Sequence, residues 1–349
     1  MADIDDDDVA VARTPAIPPL LPWQVATAAS ALAARATWPH ALLIAGPRGI
    51  GKRTLALNFA KALLCEAPRA DGLACGACPG CGYADAGQHP DLRLVEPIER
   101  DEEGEEKRLD QIRIEFIRDL TEWAQVTAHR GRAKVAVIYP AELMNPAAAN
   151  ALLKTLEEPP PETYLLLVAH QPGRVPATLR SRCRRFVAPM PDGDLARRWL
   201  AAQGVRDADG VLAQAGGAPI AALGLADPSW QAERAHWLDA LAKPRALSAL
   251  MLAARIEAAP KDERKARLEL AIDWLAAWTA DLARVAAGVS PARSPDYAAA
   301  LASLSGAVAP VALFRYHRSL LRQRLLVAHP LQPRLVAESL LLGYRELFR

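Results

Sequence analysis

Apolar and polar positions follow two different rhythms along this chain. Three continuous apolar runs of strand length, His40–Ala45, Lys134–Tyr139 and Tyr164–Ala169, fall in the first 190 residues, and Asp91–Glu96 reads as a fourth strand. Runs apolar throughout suit strands covered on both faces. Helical stretches lie between them: Trp23–Ala36, a segment from the glycine-rich loop to about Leu64, one capped by Asp110 and running to about Val126, and the run ending Asn150–Glu158. Asn145 is a good N-cap for that last helix, with Pro146 at the first helical position, where its missing N–H is harmless. Strands alternating with helices predict a mostly parallel, doubly wound α/β sheet. Beyond Pro189 and Pro191 the strand signal ends. Asp192 to about Asp227 predicts a small helical unit. From Pro228 onward the chain reads as helical, with an apolar stripe through Leu268, Ile272, Leu275 and Trp278. Trp274 and Trp278 share a face at a spacing of four, as core residues do. The expected division is a core over 1–189, a small helical lid over 190–228 and an all-α domain over 229–349.

Composition narrows this picture. The chain of 349 residues is 51% hydrophobic and 23% charged, rich in alanine and leucine, and only 5% aromatic, which favours helices over a β sandwich. Its 42 basic and 40 acidic residues leave a net charge of +2, so no global field draws it to nucleic acid. The N-terminal stretch carries Asp3 and Asp5 to Asp8 instead of a basic signal-peptide region, and residues 1–20 read as a disordered, acidic and proline-rich arm. Thr14 to Ala34 is charge-free, but Pro15, Pro18, Pro19 and Pro22 argue against a membrane helix. Glu99 to Arg108 reads as a solvated charged loop. A soluble cytoplasmic protein is expected.

The first strand leads into Gly46-Pro-Arg-Gly-Ile-Gly-Lys-Arg-Thr54. In a phosphate loop of the form G-x-x-x-x-G-K-[ST], glycines let backbone N–H groups approach the phosphates, the lysine reaches the outer phosphates and the hydroxyl holds magnesium. Gly46, Gly49, Gly51, Lys52 and Thr54 are therefore candidate nucleotide-binding residues. The hydroxyl position itself is Arg53, and Thr54 is turned by roughly 100° along the helix. A magnesium-holding aspartate is expected at the end of a later strand. The matching strand ends Ile138-Tyr139-Pro140, and Glu142 lies beyond it. The loop reads as degenerate, intact in backbone and deficient in metal ligands.

Four of the five cysteines, Cys65, Cys75, Cys78 and Cys81, cluster in an insertion over 65–82. Four thiolates at this spacing suit a closed, structural zinc site. An iron–sulfur cluster or four free thiols are the alternatives. Cys183 stands apart and reads as a small buried residue.

After the last strand come Arg180, Ser181, Arg182, Cys183, Arg184 and Arg185. A solvated basic turn and a functional site displayed at a sheet edge both fit this composition. Taken with Leu152-Leu-Lys-Thr-Leu-Glu-Glu-Pro-Pro160, the strand that follows and Ser181-Arg182-Cys183, the chain resembles the clamp-loader branch of the AAA+ ATPases. Within that branch it resembles the delta prime family of bacterial DNA polymerase III subunits.

The resemblance covers most of the chain and is specific from about residue 40 to 220. It implies an AAA+ P-loop core with a zinc module, a lid and a helical collar for oligomerisation. It places Ile220, in Gly217-Ala-Pro-Ile220, where family ATPases carry a lid arginine. It also implies that Ser181 and Arg182 face the ATP of the next subunit, Arg182 acting as an arginine finger in trans. The implied function is that of a non-hydrolysing clamp-loader subunit with zinc, whose own nucleotide site is non-functional. Its partners would be the gamma/tau ATPase subunits and delta in a five-membered ring, and through the ring the sliding clamp and primed DNA. It would be a component of a DNA-directed DNA polymerase, without activity of its own. Two competing readings are an ATP-hydrolysing motor subunit and a zinc-containing DNA-binding protein with a decayed nucleotide fold. For Arg182 the competing reading is an ion pair with a carboxylate of its own domain.

Overall fold

The computed structural model describes residues 16–34, 37–100, 106–130, 132–327 and 332–349. The acidic arm through residue 15 and the tip of the charged loop, 101–105, lie outside the described residues. The chain divides into two compact units, residues 1–195 and 196–349.

The first unit runs α1 (Val25–Ala33), β1 (Ala41–Ala45), α2 (Lys52–Leu64), α3 (Pro79–Asp85), β2 (Leu92–Val95), β3 (Ile98–Arg100), β4 (Glu106–Arg108), α4 (Ile114–Gln125), β5 (Lys134–Ile138), α5 (Pro146–Glu157), β6 (Thr163–Ala169), α6 (Ala177–Arg180) and β7 (Arg184–Val187). Five strands form one sheet in the order β2-β5-β6-β1-β7, and every pairing in it is parallel. Every residue of β1 and β5 is buried, because helices cover both faces. Ile117 and Leu120 of α4 and Leu152 and Leu156 of α5 pack on one face with Leu43, Ile138 and Leu167. Helix α2 lies against β1, β5 and β6. Asn145 caps α5 as expected, its side chain accepting the Ala148 N–H at 2.7 Å, with Pro146 in the first turn.

Three expectations need correction. Helix α4 starts at Ile114 with Arg113 at its N-cap and no side-chain cap bond, so Asp110 does not cap it. The backbone before α4 stays extended because Ile112 bridges Met144 in parallel fashion. The charged segment is not simply a loop, since β3 and β4 pair antiparallel, Ile98 with Arg108. Arg184–Val187 is a strand at the sheet edge, paired with Leu42–Ala45 of β1.

Helix α7 (Gly193–Ala202) crosses the boundary between the units. It is followed by α8 (Ala208–Gln214) and α9 (Pro219–Leu225), and these three share a small core of Ala196, Leu200, Val211, Leu212 and Ala222. The rest of the second unit is α10 (Pro228–Leu241), α11 (Ala249–Ala258), α12 (Arg264–Ala286), α13 (Ala298–Ser305), α14 (Pro310–Leu326) and α15 (Pro333–Glu346). The long helix α12 is packed by the other five. Trp274 and Trp278 are core residues, and the Trp278 indole N–H donates to the Tyr344 hydroxyl at 2.8 Å. That hydroxyl in turn donates to the Leu241 carbonyl at 2.8 Å, so the polar tips of Trp278 and Tyr344 are satisfied inside the bundle, whereas the Trp274 indole N–H is buried without a partner. Among the described residues no helix is long and apolar enough to cross a membrane.

Candidate functional site

Parallel α/β sheets place ligand sites beyond the carboxyl ends of their strands, and here β1, β5 and β6 converge on one such edge. The loop from β1 to α2 has glycines at the left-handed positions, Gly49 at φ 82° and Gly51 at φ 85°. Its backbone is pinned from outside. Trp23 Nε1 donates to the Ile50 carbonyl at 3.0 Å, and Gln24 Nε2 donates to the carbonyls of Ile50 at 3.2 Å and Gly51 at 2.8 Å. Lys52, 2% exposed, folds back on this loop. Its ammonium donates to the Pro47 carbonyl at 2.5 Å and to His170 Nδ1 at 2.8 Å. Burial pulls its pKa down to about 8, with Arg48 adding to the shift and Glu142 opposing it.

His170 follows β6 directly. Burial, then the neighbouring charges of Lys52 and Arg48, push its pKa down to about 4. The ring is neutral at pH 7, so Nδ1 accepts from Lys52 and Nε2–H donates to the Tyr139 hydroxyl at 3.2 Å. Tyr139 occupies the end of β5 where an acidic residue would be needed. Glu142 follows three residues on: its Oε1 accepts the main-chain N–H groups of His170 at 2.9 Å and Gln171 at 3.0 Å, and its Oε2 is buried without a hydrogen-bond partner. That carboxylate ties two loops together.

Arg53 follows Lys52, at the position where phosphate loops carry the magnesium-binding hydroxyl. Its guanidinium makes two parallel bonds to Glu96, just past β2, Nε to Oε1 and Nη2 to Oε2, both 2.7 Å. The same group lies 6.0 Å from the centre of the Tyr139 ring. The sequence position that carries the metal-binding hydroxyl in phosphate loops thus holds a guanidinium paired with a carboxylate of the same chain.

The arginine segment lies at the end of α6 and on β7. Ser181 Oγ donates to the Thr178 carbonyl at 3.1 Å, closing the turn. Arg182 Nη1 donates to the same carbonyl at 2.9 Å, and its Nη2 is ion-paired with Glu157, the last residue of α5. Both partners are partly open to solvent, with side chains 35% and 49% exposed. Two of five guanidinium N–H donors are engaged by these contacts, so the fork retains donors for a further anion. Cys183 packs against the core, and burial raises its pKa to about 11, unlike an activated nucleophile.

The cysteine sulfurs form a separate centre. Cys65 closes α2, Cys78 caps α3, and Cys81 lies in the first turn of α3. All four sulfurs lie within 4.8 Å of one another, with Cys65–Cys78 at 3.8 Å and Cys75–Cys81 at 3.9 Å. Zinc bound to four thiolates at about 2.3 Å gives a tetrahedron with edges of roughly 3.8 Å. Main-chain N–H groups point at the sulfurs: Cys75 N–H at Cys65, Cys78 N–H at Cys75 and Cys81 N–H at Cys78, at 3.3 to 3.4 Å. Such donors stabilise thiolates, and the four residues fit a closed metal site. Glu66 ties the insertion to the core. Its carboxylate accepts from Gly80 N–H at 3.1 Å and Arg130 Nη2 at 2.6 Å.

Residues 24–190 match the family model described as DNA polymerase III, delta subunit. A DNA polymerase III subunit delta prime of Pseudomonas aeruginosa is 39% identical over 271 residues, covering 76% of this chain and 77% of that relative. This chain belongs to the delta prime family. The Escherichia coli subunit delta prime is 40% identical over 198 residues, 55% of this chain and 56% of the relative. The subunit tau of Escherichia coli is 35% identical over 161 residues, 46% of this chain and 23% of the relative.

Within this delta prime family member, sequence reasoning missed Glu96, His170 and Glu157. The signal available for His170 was a titratable residue directly after an apolar strand. Glu157 and Glu96 carried no such mark, because a carboxylate at the end of an element is ordinarily solvated.

Proposed function

We propose that this chain is the non-hydrolysing subunit of the DNA polymerase III clamp loader. It completes a neighbour's active site by supplying Arg182 in trans. The observation that carries the first half is the Arg53–Glu96 pair in the first turn of α2, beside a loop whose Gly49 and Gly51 keep the left-handed backbone. A divalent ion would meet a guanidinium there, and Tyr139 offers no carboxylate to hold it. The same pair counts against reading the chain as a motor subunit.

The second half rests on Arg182. A γ-phosphoryl group in transfer spreads negative charge over its oxygens, and a guanidinium fork reaches several of them at once. In the free chain Glu157 and the Thr178 carbonyl hold the fork in place. On assembly a nucleotide on the neighbouring gamma/tau subunit competes with Glu157 for it. Ser181 supports the turn through its bond to Thr178.

Residues 1–189 would serve as the AAA+ core, 190–228 as the lid and 229–349 as the collar that joins the ring with delta and the gamma/tau subunits in the cytoplasm. The ring acts on the sliding clamp and primed DNA. Cys65, Cys75, Cys78 and Cys81 would hold a structural zinc ion, which closes the 65–82 insertion and leaves no coordination position for chemistry.

A steady-state assay on the purified chain tests the non-hydrolysing part. No turnover above background is expected, and Lys52→Ala should change nothing. Turnover of about one per second, abolished by that substitution, would contradict it.

A further inference from the structure

The arginine segment carries more positive charge than its own unit neutralises. Glu157 pairs with Arg182, but Arg180, Arg184 and Arg185, all exposed, have no carboxylate partner among the described residues. Arg184 and Arg185 lie on β7, the last strand in the sheet order, which among the described residues pairs only with β1. The outer side of β7 is thus an open sheet edge lined by guanidiniums.

The chain leaves the described residues close to this edge. Asn58 Nδ2 on α2 donates to the Pro18 carbonyl at 2.9 Å, which fastens the segment beginning at Ala16 to that helix. The next residue of α2, Phe59, meets Phe186 of β7 edge to face, with ring centres 5.4 Å apart. These links put the root of the acidic arm within roughly 20 Å of β7. Asp3 and Asp5 to Asp8 stand eight to thirteen positions before Ala16, a reach of roughly 26–43 Å when extended. The other acidic run, 101–105, connects β3 to β4 just past β2, which is the opposite edge of the sheet.

We infer that the arginine edge of β7 is an anion-binding surface whose occupant in the free chain is the acidic arm of the same molecule, residues 3–8. Five carboxylates are available there to three guanidiniums that lack partners. A single exposed ion pair contributes little, but a short tether holds the arm at a local concentration of about millimolar, so several weak pairs add up. Aspartate runs are poor strand formers, so the contact runs through side chains rather than through an added strand. The arm thereby keeps the phosphate chain of nucleic acid off a basic edge, in a molecule whose net charge of +2 gives no wider attraction. The surface consists of Arg180, Arg184 and Arg185 and is independent of the role proposed for Arg182.

The test uses the full-length chain and a fluorescent peptide of residues 1–15, with binding followed by anisotropy. A chain carrying Asp3→Asn, Asp5→Asn, Asp6→Asn, Asp7→Asn and Asp8→Asn should bind the peptide, and high salt should abolish that binding. Wild type should bind it at least about tenfold more weakly, because its own tethered arm already holds the site. Adding Arg180→Gln, Arg184→Gln and Arg185→Gln to the asparagine chain should remove binding, with an unchanged melting temperature showing that the chain folds. Equal binding by wild type and the asparagine chain, no binding by the asparagine chain, or binding that survives the glutamine substitutions would each overturn the inference. The wild-type and asparagine chains differ only in the arm, so their comparison decides even where the glutamine chain fails to fold. A single-stranded oligonucleotide should follow the same order as the peptide. Equal binding of it to wild type and the asparagine chain would mean that the edge stands open to nucleic acid, and the arm would lose its assignment.

Discussion

Arg53 and Glu96 form a two-pronged ion pair across the base of the phosphate loop, with both N–O distances at 2.7 Å. Their side chains are 31% and 16% exposed, so the carboxylate depends on this partner. Arg53→Ser restores the hydroxyl of a working loop, yet it should produce no ATPase activity, because Tyr139 still ends β5. The substitution should instead cost about 1–3 kcal/mol of stability by leaving Glu96 without its charged partner. Adding Glu96→Gln should recover part of that loss. Urea denaturation of the two variants beside wild type measures both effects.

The buried Lys52–His170 contact gives stability an acid limb. His170 titrates at about 4 in the folded chain against an ordinary value of 6.5. A group with a depressed folded pKa contributes stability above its unfolded value and loses it as pH falls toward the folded one. Stability should therefore decline between about pH 6.5 and pH 4 as the unfolded chain takes up a proton that the folded ring refuses. His170→Gln should flatten that limb. Denaturation midpoints across this pH range, compared between the two chains, check it.

Much of this architecture was legible because burial left a mark in the sequence. β1 is apolar throughout and β5 and β6 are apolar after their first residues, since helices cover both their faces, and Asn145-Pro146 marks the start of α5 by local chemistry alone. Strand β7 carried no such mark. Arg184 and Arg185 are exposed at the sheet edge and join it through backbone pairing with Leu42 and Leu43. The start of α4 was misplaced because Asp110 looked like a cap, whereas tertiary pairing of Ile112 keeps the chain extended past it. In the candidate site the phosphate loop and the cysteines were readable as contiguous motifs. Their partners were not, because Arg53 meets Glu96 from 43 positions away and Lys52 meets His170 from 118.

The cysteine centre makes a prediction of its own. Purified protein should carry one zinc ion per chain, and Cys78→Ser should lose it. Without metal, the 65–82 insertion should become the first segment cut in limited proteolysis while the parallel sheet persists. Metal analysis combined with mapping of the cleavage sites tests this. Iron with visible absorption, or no metal with four titratable thiols in the native state, would contradict it.

Glu157 competes for the same guanidinium that the proposed function sends to a neighbour's nucleotide. Exposed pairs of this kind contribute little, so Glu157→Gln should strengthen ATP-dependent association with the gamma/tau subunits only about two- to fivefold. The gain should disappear in the Arg182→Ala background. A gain that persists there would mean that Glu157 acts through some other contact.

ATP hydrolysis by the complete clamp-loader assembly containing Arg182→Ala tests the central claim most directly. The variant chain should fold and join the assembly at wild-type levels, since Arg182 is partly exposed and its ion pair lies at the surface. Turnover at the one site facing this subunit should fall by roughly 10³ or more, while the other sites retain theirs. Arg182→Lys should rescue little, because an ammonium lacks the planar fork. Normal assembly with undiminished hydrolysis and clamp loading would contradict the account.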